Sequence, residues 1–576
     1  MYDGTTSVPL VTYSWTTPGG ALHLSSLTSG RTGAARSKRA RRIAACTALV
    51  VSAGMLLAAP ASADDAKGAD APKAVGSTPR MDITGDGKSD ILYQTRDGHL
   101  FQSVGGVVAD YPVGFAEPRD EATQFKDIIA PGDLQGDGMP ELLTLTASGT
   151  LTLHPIVGMD PTGGTPTWSG TGWQKYNKIV APGDLTGDGH NDLLARTPAG
   201  DVYLYVSTGR IEGQPFEPAV KVASGWNAYD QIVGLNDSTG DGIGDVVTRT
   251  PSGDLYFHMG TGNASKPFKD ASKIGYGFDT YNQLVGVDDI NGDGYGDLMG
   301  RTPNGDTYLY RFSGYGHYRA RIHGTFGWQK AAMFVGAGGN PDTGKRGLMG
   351  VTPEGAGYEY DSRNTGEFFP RARRFEFSDE EWVRVASSLG DDGRPDNLEV
   401  RDGSLYREYK RISDGWGAYN DLIGPGDLSG DGAGDVLARD TKGDLFLYQG
   451  KDEGTALAAK VKVGYGYGSY RHIVGAGDLT GDGRADVVAI AKDGTLYLYE
   501  GTGKASAPLK ARVKIGSGFD IYNKFAAVGD LNGDGKADLV GVNGYGDLYR
   551  YTSTGTGTLK KRVRIGYGFN IYKALY

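Results

Sequence analysis

Cysteine is almost missing from this chain: Cys46 is the one thiol in 576 residues, and it lies in an apolar run near the N-terminus. A disulfide framework is therefore excluded as the source of stability. Histidine is scarce as well, at eight residues, and His190 and His472 fall at positions that vary from one segment to the next. No Ser-His-Asp order, His-Glu-x-x-His or phosphate-binding loop is visible, so no motif with a catalytic mechanism points to an enzyme. No basic patch dominates the body of the chain, which argues against nucleic acid as a partner. Long apolar runs are limited to one, from Ile43 to Pro60.

That run follows Arg31, Arg36, Lys38, Arg39, Arg41 and Arg42, and it ends in Ala61-Ser62-Ala63. A basic stretch, an apolar core and a small-residue site make an export signal, so residues 1–63 are expected to be a signal peptide cleaved after Ala63. Residues 1–30 carry no charge but Asp3 and read as an extension, with the true start downstream. Arg41-Arg42 leaves general and twin-arginine export both open. Removing residues 1–63 leaves 53 basic and 68 acidic residues, a net charge of −15. The expected mature protein is secreted, monomeric and free of the membrane, with residues 64–80 as a linker.

Glycine and tyrosine are abundant, at 93 and 34 residues. Glycine without a Gly-X-Y period means many tight turns, and with so much tyrosine it predicts an all-β chain of short strands. One nine-residue phrase, Asp-x-(Thr/Asn/Ser)-Gly-Asp-Gly-x-x-Asp, recurs with small substitutions from Asp82, Asp133, Asp184, Asp237, Asp289, Asp427, Asp478 and Asp530, mostly about 51 residues apart. A period of that size marks repeats too small to bury a core alone.

The unit around Asp184 has strand-like text at residues 176–181, 193–196, 202–206 and 219–223. Four short strands in such a span are the anatomy of a propeller blade. An aromatic followed three residues later by Tyr opens the units, as in Trp173/Tyr176, Trp226/Tyr229, Phe278/Tyr281 and Trp416/Tyr419. Two further units are decayed: one around 339–347 has lost its acidic positions, and one keeps Ser388, Asp392 and Asp396. The total is ten four-stranded units. The first loop lacks a lead-in strand and residues 568–576 are a lead-in strand without a loop, so each supplies what the other lacks. Ten blades exceed the usual ring, so the expectation is two five-bladed rings, residues 81–336 and 337–576, closed by the segments after Gly327 and after Gly566. One large ring is the alternative.

The repeated loop places oxygen at positions 1, 3, 5 and 9, with a backbone carbonyl at position 7 and glycine at position 6 for the sharp turn. Hard oxygens at alternating positions wrap a cation of the size of Ca²⁺. The match to an EF-hand loop stops at position 9, since the Glu at position 12 is absent. About eight Ca²⁺ sites are expected. Their ligands are Asp82, Thr84, Asp86 and Asp90; Asp133, Asp137 and Glu141; Asp184, Thr186, Asp188 and Asp192; and Asp237, Thr239, Asp241 and Asp245. They continue with Asp289, Asn291, Asp293 and Asp297; Asp427, Ser429, Asp431 and Asp435; Asp478, Thr480, Asp482 and Asp486; and Asp530, Asn532, Asp534 and Asp538.

The segments Ile128–Gly138 and Val528–Gly535 resemble FG-GAP (VCBS-type) repeats, a family that includes the integrin α-subunit propeller and some fungal lectins. The resemblance covers residues 81–576. It implies β-propeller blades with Ca²⁺ in the Asp loops, and short, Tyr-rich, exported repeats of this kind look actinobacterial. The family's Phe-Gly start is not kept, and the units are shorter than integrin ones. The expected function is a non-catalytic extracellular binding module for glycans or cell-wall polymer, with protein adhesion or scaffolding as the alternative and a hydrolase or lyase behind both. Trp173, Trp226, Trp328 and Trp416 are candidates for stacking on sugars, although an aromatic repeated at one place is more often packing. Arg196, Arg249, Arg301 and Arg439 are expected to pair with Asp201, Asp254, Asp306 and Asp444.

Overall fold

The computed structural model describes residues 78–576, apart from 96–98, 104–110, 114–124, 147–148, 158–159, 164, 303, 329–330, 337–346, 364, 377–381, 387, 391–394, 408–409, 452–453 and 533–535. The expected signal peptide, the lost acidic loop at 339–347 (but for Gly347), Asp392 and the metal candidate Asp534 lie outside the described residues. Among the described residues there is no α-helix, only strands and three-residue 3₁₀ turns, and no helix long and apolar enough to cross a membrane.

The strands form ten antiparallel sheets. The third is representative: Lys178–Gly183, Asp192–Arg196, Val202–Tyr205 and Val220–Ala223, hydrogen-bonded in reverse chain order from the last strand to the first. Burial falls across it. The first two strands are buried at every residue, the third alternates, and the fourth is largely exposed. A strand covered on both faces needs a continuous apolar run, and one with a wet face needs alternation. Leu193-Leu194-Ala195 and Val202-Tyr203-Leu204-Tyr205 meet those two demands.

A 3₁₀ turn opens most sheets, as at Trp226–Ala228 and Phe278–Thr280. The residue before it is glycine with positive φ, 79° at Gly225 and 76° at Gly277, a conformation that other residues reach only with strain. The buried aromatic that follows donates its backbone N–H to the turn glycine of the preceding unit: Trp226 to Gly200 and Phe278 to Gly253, both at 3.0 Å. Tyrosine three residues further on is tied by its hydroxyl to a tyrosine of the third strand, 2.8 Å for Tyr176–Tyr205 and 2.7 Å for Tyr281–Tyr310. Much of the tyrosine is thus spent inside the sheets.

Apolar clusters join sheet to sheet. In the first half they link the second sheet to the third, the third to the fourth and the fourth to the fifth. The fifth packs on the first through Val285, Met299, Tyr93 and Phe334, and the first on the second through Leu92, Ile128 and Leu142. In the second half, clusters link the seventh sheet to the eighth, the eighth to the ninth, the ninth to the tenth, and the tenth to the sixth. Two strands are taken from far along the chain. Ala331–Phe334 pairs with Ile91–Thr95 in the first sheet, and Ala574–Leu575 pairs with Gly347–Val351 in the sixth. Tyr572 meets Tyr360 at 2.5 Å, repeating for the sixth sheet the tyrosine pair found within the third.

Arg80, the last residue of the expected linker, is buried. Its backbone N–H and Nε donate to Asp288 at 2.8 and 2.7 Å, and its other nitrogens donate to the carbonyls of Ala181 and Gly234. It thereby ties the entering chain to the third, fourth and fifth sheets. The two halves touch through Asn177, which donates to the carbonyl of Asp482 at 2.9 Å, and Asn282, which donates to that of Asn532 at 2.7 Å.

Candidate metal centres in the acidic loops

Each loop after the first joins the first strand of its sheet to the second, and the loop from Asp82 leads directly into Ile91–Thr95. In the loop from Asp184, the position-1 carboxylate accepts N–H groups from Gly187 at 2.6 Å and Gly189 at 2.7 Å. Position 5, Asp188, accepts from His190 at 3.0 Å. Position 9, Asp192, is fully buried and accepts from Leu185 at 2.9 Å and from Ser207, just past the third strand, at 3.1 Å. The loop is wound around its own carboxylates, which turns their oxygens inward. The same frame recurs around Asp133, Asp237, Asp289, Asp427 and Asp478. At Asp82 it is kept by N–H groups of Asp86 and Gly87, and at Asp530 the described part shows Leu531 donating to Asp538 at 3.2 Å.

Ligand atoms of Asp133, Asp137 and Glu141 all lie within 4.8 Å of one another, the one such acidic group among the described residues. Burial pushes the Glu141 carboxyl up to about 8, with Asp133 and Asp137 adding to the push. Asp192, Asp245 and Asp297 rise to about 7, through burial first and loop aspartates second, and Asp435 and Asp486 also stand well above the usual range. Three convergent carboxylates, one of them desolvated, are an arrangement that a divalent cation neutralises and that is costly without one. In the first loop, the position-3 hydroxyl of Thr84 is buried without a hydrogen-bond partner. An orphaned oxygen at a ligand position also fits a cation. Glycine at position 6, such as Gly294 with φ 90°, makes the reversal possible.

The decayed loop of the seventh sheet is an internal control. Position 9 there is Asp396, still buried and still accepting from the position-2 N–H, of Leu389 at 2.7 Å. Position 1 is Ser388. Arg407 now reaches Asp396 at 2.6 Å. Where the first carboxylate is gone, a guanidinium supplies the positive charge.

Two other expectations are corrected. Arg196, Arg249, Arg301 and Arg439 do not pair with the aspartates after the turn. Each lies across to the next unit: Arg196 donates to the carbonyls of Trp226 and Tyr229 at 2.8 and 2.6 Å, and Arg249 to those of Phe278 and Tyr281 at 3.1 and 2.6 Å. Arg301 makes the same reach to Trp328 and Ala331, and Arg439 to Tyr467 and Tyr470. One guanidinium nitrogen, with its two N–H bonds, serves both carbonyls, and the Trp226 carbonyl also accepts the Tyr229 backbone N–H at 3.1 Å. The aspartates pair with the fourth strand instead: Asp201 with Lys221 and Asp254 with Lys273 at 2.8 Å, Asp444 with Lys462 at 2.7 Å. Trp173, Trp226, Trp328 and Trp416 are all buried between sheets, so they are packing residues and offer no face to a sugar. The exposed aromatics are others: Tyr276, Tyr315, Phe326, Phe369, Tyr465, Tyr545 and Tyr567. No local signal separates them, since the tyrosine of Gly544-Tyr545-Gly546 is exposed and those of Gly294-Tyr295-Gly296 and Gly466-Tyr467-Gly468 are buried.

Residues 427–489 and 478–541 match the model of the FG-GAP-like repeat, and residues 177–211 and 525–559 match that of the FG-GAP repeat. No curated protein matches the chain. A solved lectin structure from Agrocybe aegerita, described for specific recognition of non-reducing terminal N-acetylglucosamine, is similar over 86% of this chain and 95% of that chain. Its identity is 15% and its TM-score 0.19, too low to bear on fold or ligand. The matched segments fall on the third, eighth, ninth and tenth sheets, whose loops are described above, and the chain carries FG-GAP repeats there.

Proposed function

We propose that this protein is a secreted, calcium-stabilised, non-catalytic binding module for glycans or cell-wall polymer, its sheets closed as two five-bladed propellers. The observation that carries the binding role is repetition on the surface. An exposed acid–base pair stands at the same turn in sheet after sheet: Asp201–Lys221, Asp254–Lys273, Asp444–Lys462 and Asp547–Arg564. A surface copied at a fixed period suits a polymer whose own groups repeat, because weak contacts made together give high avidity. Support for closure comes from the two long-range strand pairings and from the packing of the fifth sheet on the first and the tenth on the sixth. Support for calcium comes from the convergent carboxylates and from Arg407 reaching the buried acid where the first carboxylate is lost.

Two measurements test the reading. The melting temperature is expected to fall by at least about 10 °C in EGTA, recovering with Ca²⁺ but not Mg²⁺, because lost metal sites remove several kcal/mol. An unchanged melt would remove calcium from the account. Co-sedimentation of the full chain with insoluble cell wall is expected to deplete it from solution. Capture of secreted proteins without cell-wall binding would favour the adhesion reading instead.

A further inference from the structure

We propose that the turn edge of the tenth sheet is a saccharide-binding site formed by Tyr545 and Tyr567. This rests on the glycan-binding reading and says where on the chain the sugar sits. Tyr545 is 90% exposed and Tyr567 is 80% exposed. They flank two paired strands, Leu548–Thr552 and Val563–Gly566, whose turn ends are also joined by the N–H of Phe569 donating to the carbonyl of Gly546 at 3.0 Å. Tyr545 immediately precedes one partner, and Tyr567 lies two residues before the other. Each has glycine on both sides, so its chain neighbours leave the ring uncovered, and Arg564 lies over one face of Tyr567.

Beside them stands a fixed polar pair. Arg564 donates through Nε to Asp547 at 2.8 Å, and Asn543 braces the other carboxylate oxygen at 3.3 Å. The Arg564 guanidinium is 5.8 Å from the centre of the Tyr567 ring. Single exposed aromatics are ordinary. Two on backbone segments that are hydrogen-bonded to each other, next to an acceptor and a donor held in place, are a constellation with a matching chemistry. A pyranose has an apolar C–H face that lies on an aromatic ring and vicinal hydroxyls that both donate to a carboxylate and accept from a guanidinium. The negative net charge of the chain, −10, disfavours a nucleic acid as the stacking partner.

The arrangement is partly copied. Tyr465, 85% exposed, stands beside the Asp444–Lys462 pair, and Tyr276 beside Asp254–Lys273. Phe326 takes the corresponding place in the fifth sheet, so the ring and not its hydroxyl is the common element. The tenth sheet is where a second ring joins.

The test uses the full chain in Ca²⁺ and titrates cellohexaose and chitohexaose by calorimetry, with co-sedimentation on insoluble peptidoglycan as a third probe. The double variant Tyr545→Ala/Tyr567→Ala is expected to weaken binding on the order of tenfold for each ring removed. Tyr545→Phe/Tyr567→Phe should stay within about threefold of the parent, since stacking needs the ring alone. Both side chains point to solvent, so the melting temperature should not move. Parent binding that survives the alanine variant overturns this site and leaves the glycan reading standing. Absence of parent binding to all three probes overturns both.

Discussion

Asp192 and Asp396 hold the same place in their sheets, each buried and each capped by the N–H at loop position 2. One has an aspartate at loop position 1, and the other has a serine there and an arginine on its buried acid. The comparison shows how a single buried acid dictates its surroundings, because a desolvated carboxylate must be either neutral or paired. His258 is a case with the opposite sign. It is buried against Trp226 and Thr248, and burial holds its imidazole down to about 4. The unfolded chain takes a proton near 6.5 and the folded chain does not, so the neutral residue favours folding fully above pH 6.5. That contribution is lost as pH falls from 6.5 through 4, a difference of about 3 kcal/mol. His258→Phe keeps the ring and removes the proton. Urea melts at pH 7 and pH 4.5 should show a smaller acid-induced loss in the variant, and an equal loss would clear His258 of any role.

Between sheets the same few contacts recur. The arginine ending a second strand clasps the 3₁₀ turn that opens the next sheet, and the aromatic of that turn fills the gap between them. Arg249 is the most committed copy. Besides two carbonyls it holds Asp230 at 2.7 Å, with both side chains buried, and Lys536 from the other half meets the same aspartate at 2.9 Å. Burial works to raise the Asp230 carboxyl, but Arg249 and Lys536 outweigh it and keep the group below the usual carboxylate range. Breaking such a cluster from one side strands a charge. Arg249→Met is expected to cost about 3–5 kcal/mol in urea unfolding. Lys273→Ala removes the exposed pair with Asp254 one strand away and should leave the midpoint unchanged, since exposed pairs contribute little. Equal midpoints for the two variants would show that the clasp carries no weight.

The whole molecule depends on strands borrowed over long distances. Ala574–Leu575 covers the edge of Gly347–Val351, and Tyr572 and Phe569 plug the cluster between the tenth and sixth sheets. An uncovered edge is a template for pairing with another chain. Deleting residues 567–576 is expected to lower the melting temperature and to shift the protein to dimers or larger species in light scattering. A deleted form that stays monomeric and melts like the parent would mean that this pairing closes nothing.

Much of this was legible in the residues themselves. The period, the four strands per unit and the composition of the acidic loops are local, because turn chemistry and strand alternation act over a few neighbours. The role of Arg196 and its copies was not legible: Asp201 is five residues away in the chain, whereas the carbonyls that Arg196 meets belong to Trp226 and Tyr229, and only the stacking of one sheet on the next brings them within reach. For the same reason the repeated tryptophans and the repeated exposed tyrosines look alike as text. Which aromatic faces a neighbouring sheet and which faces water is settled by the geometry of the junction. The sequence by itself determined the repeat, the all-β class and an anionic loop in each intact unit. Tertiary structure alone decided the partners of the buried charges and the faces left open to solvent, and it paired the closing segments expected after Gly327 and Gly566 with the first and sixth sheets, because all of these depend on contacts between units that no short stretch of chain contains.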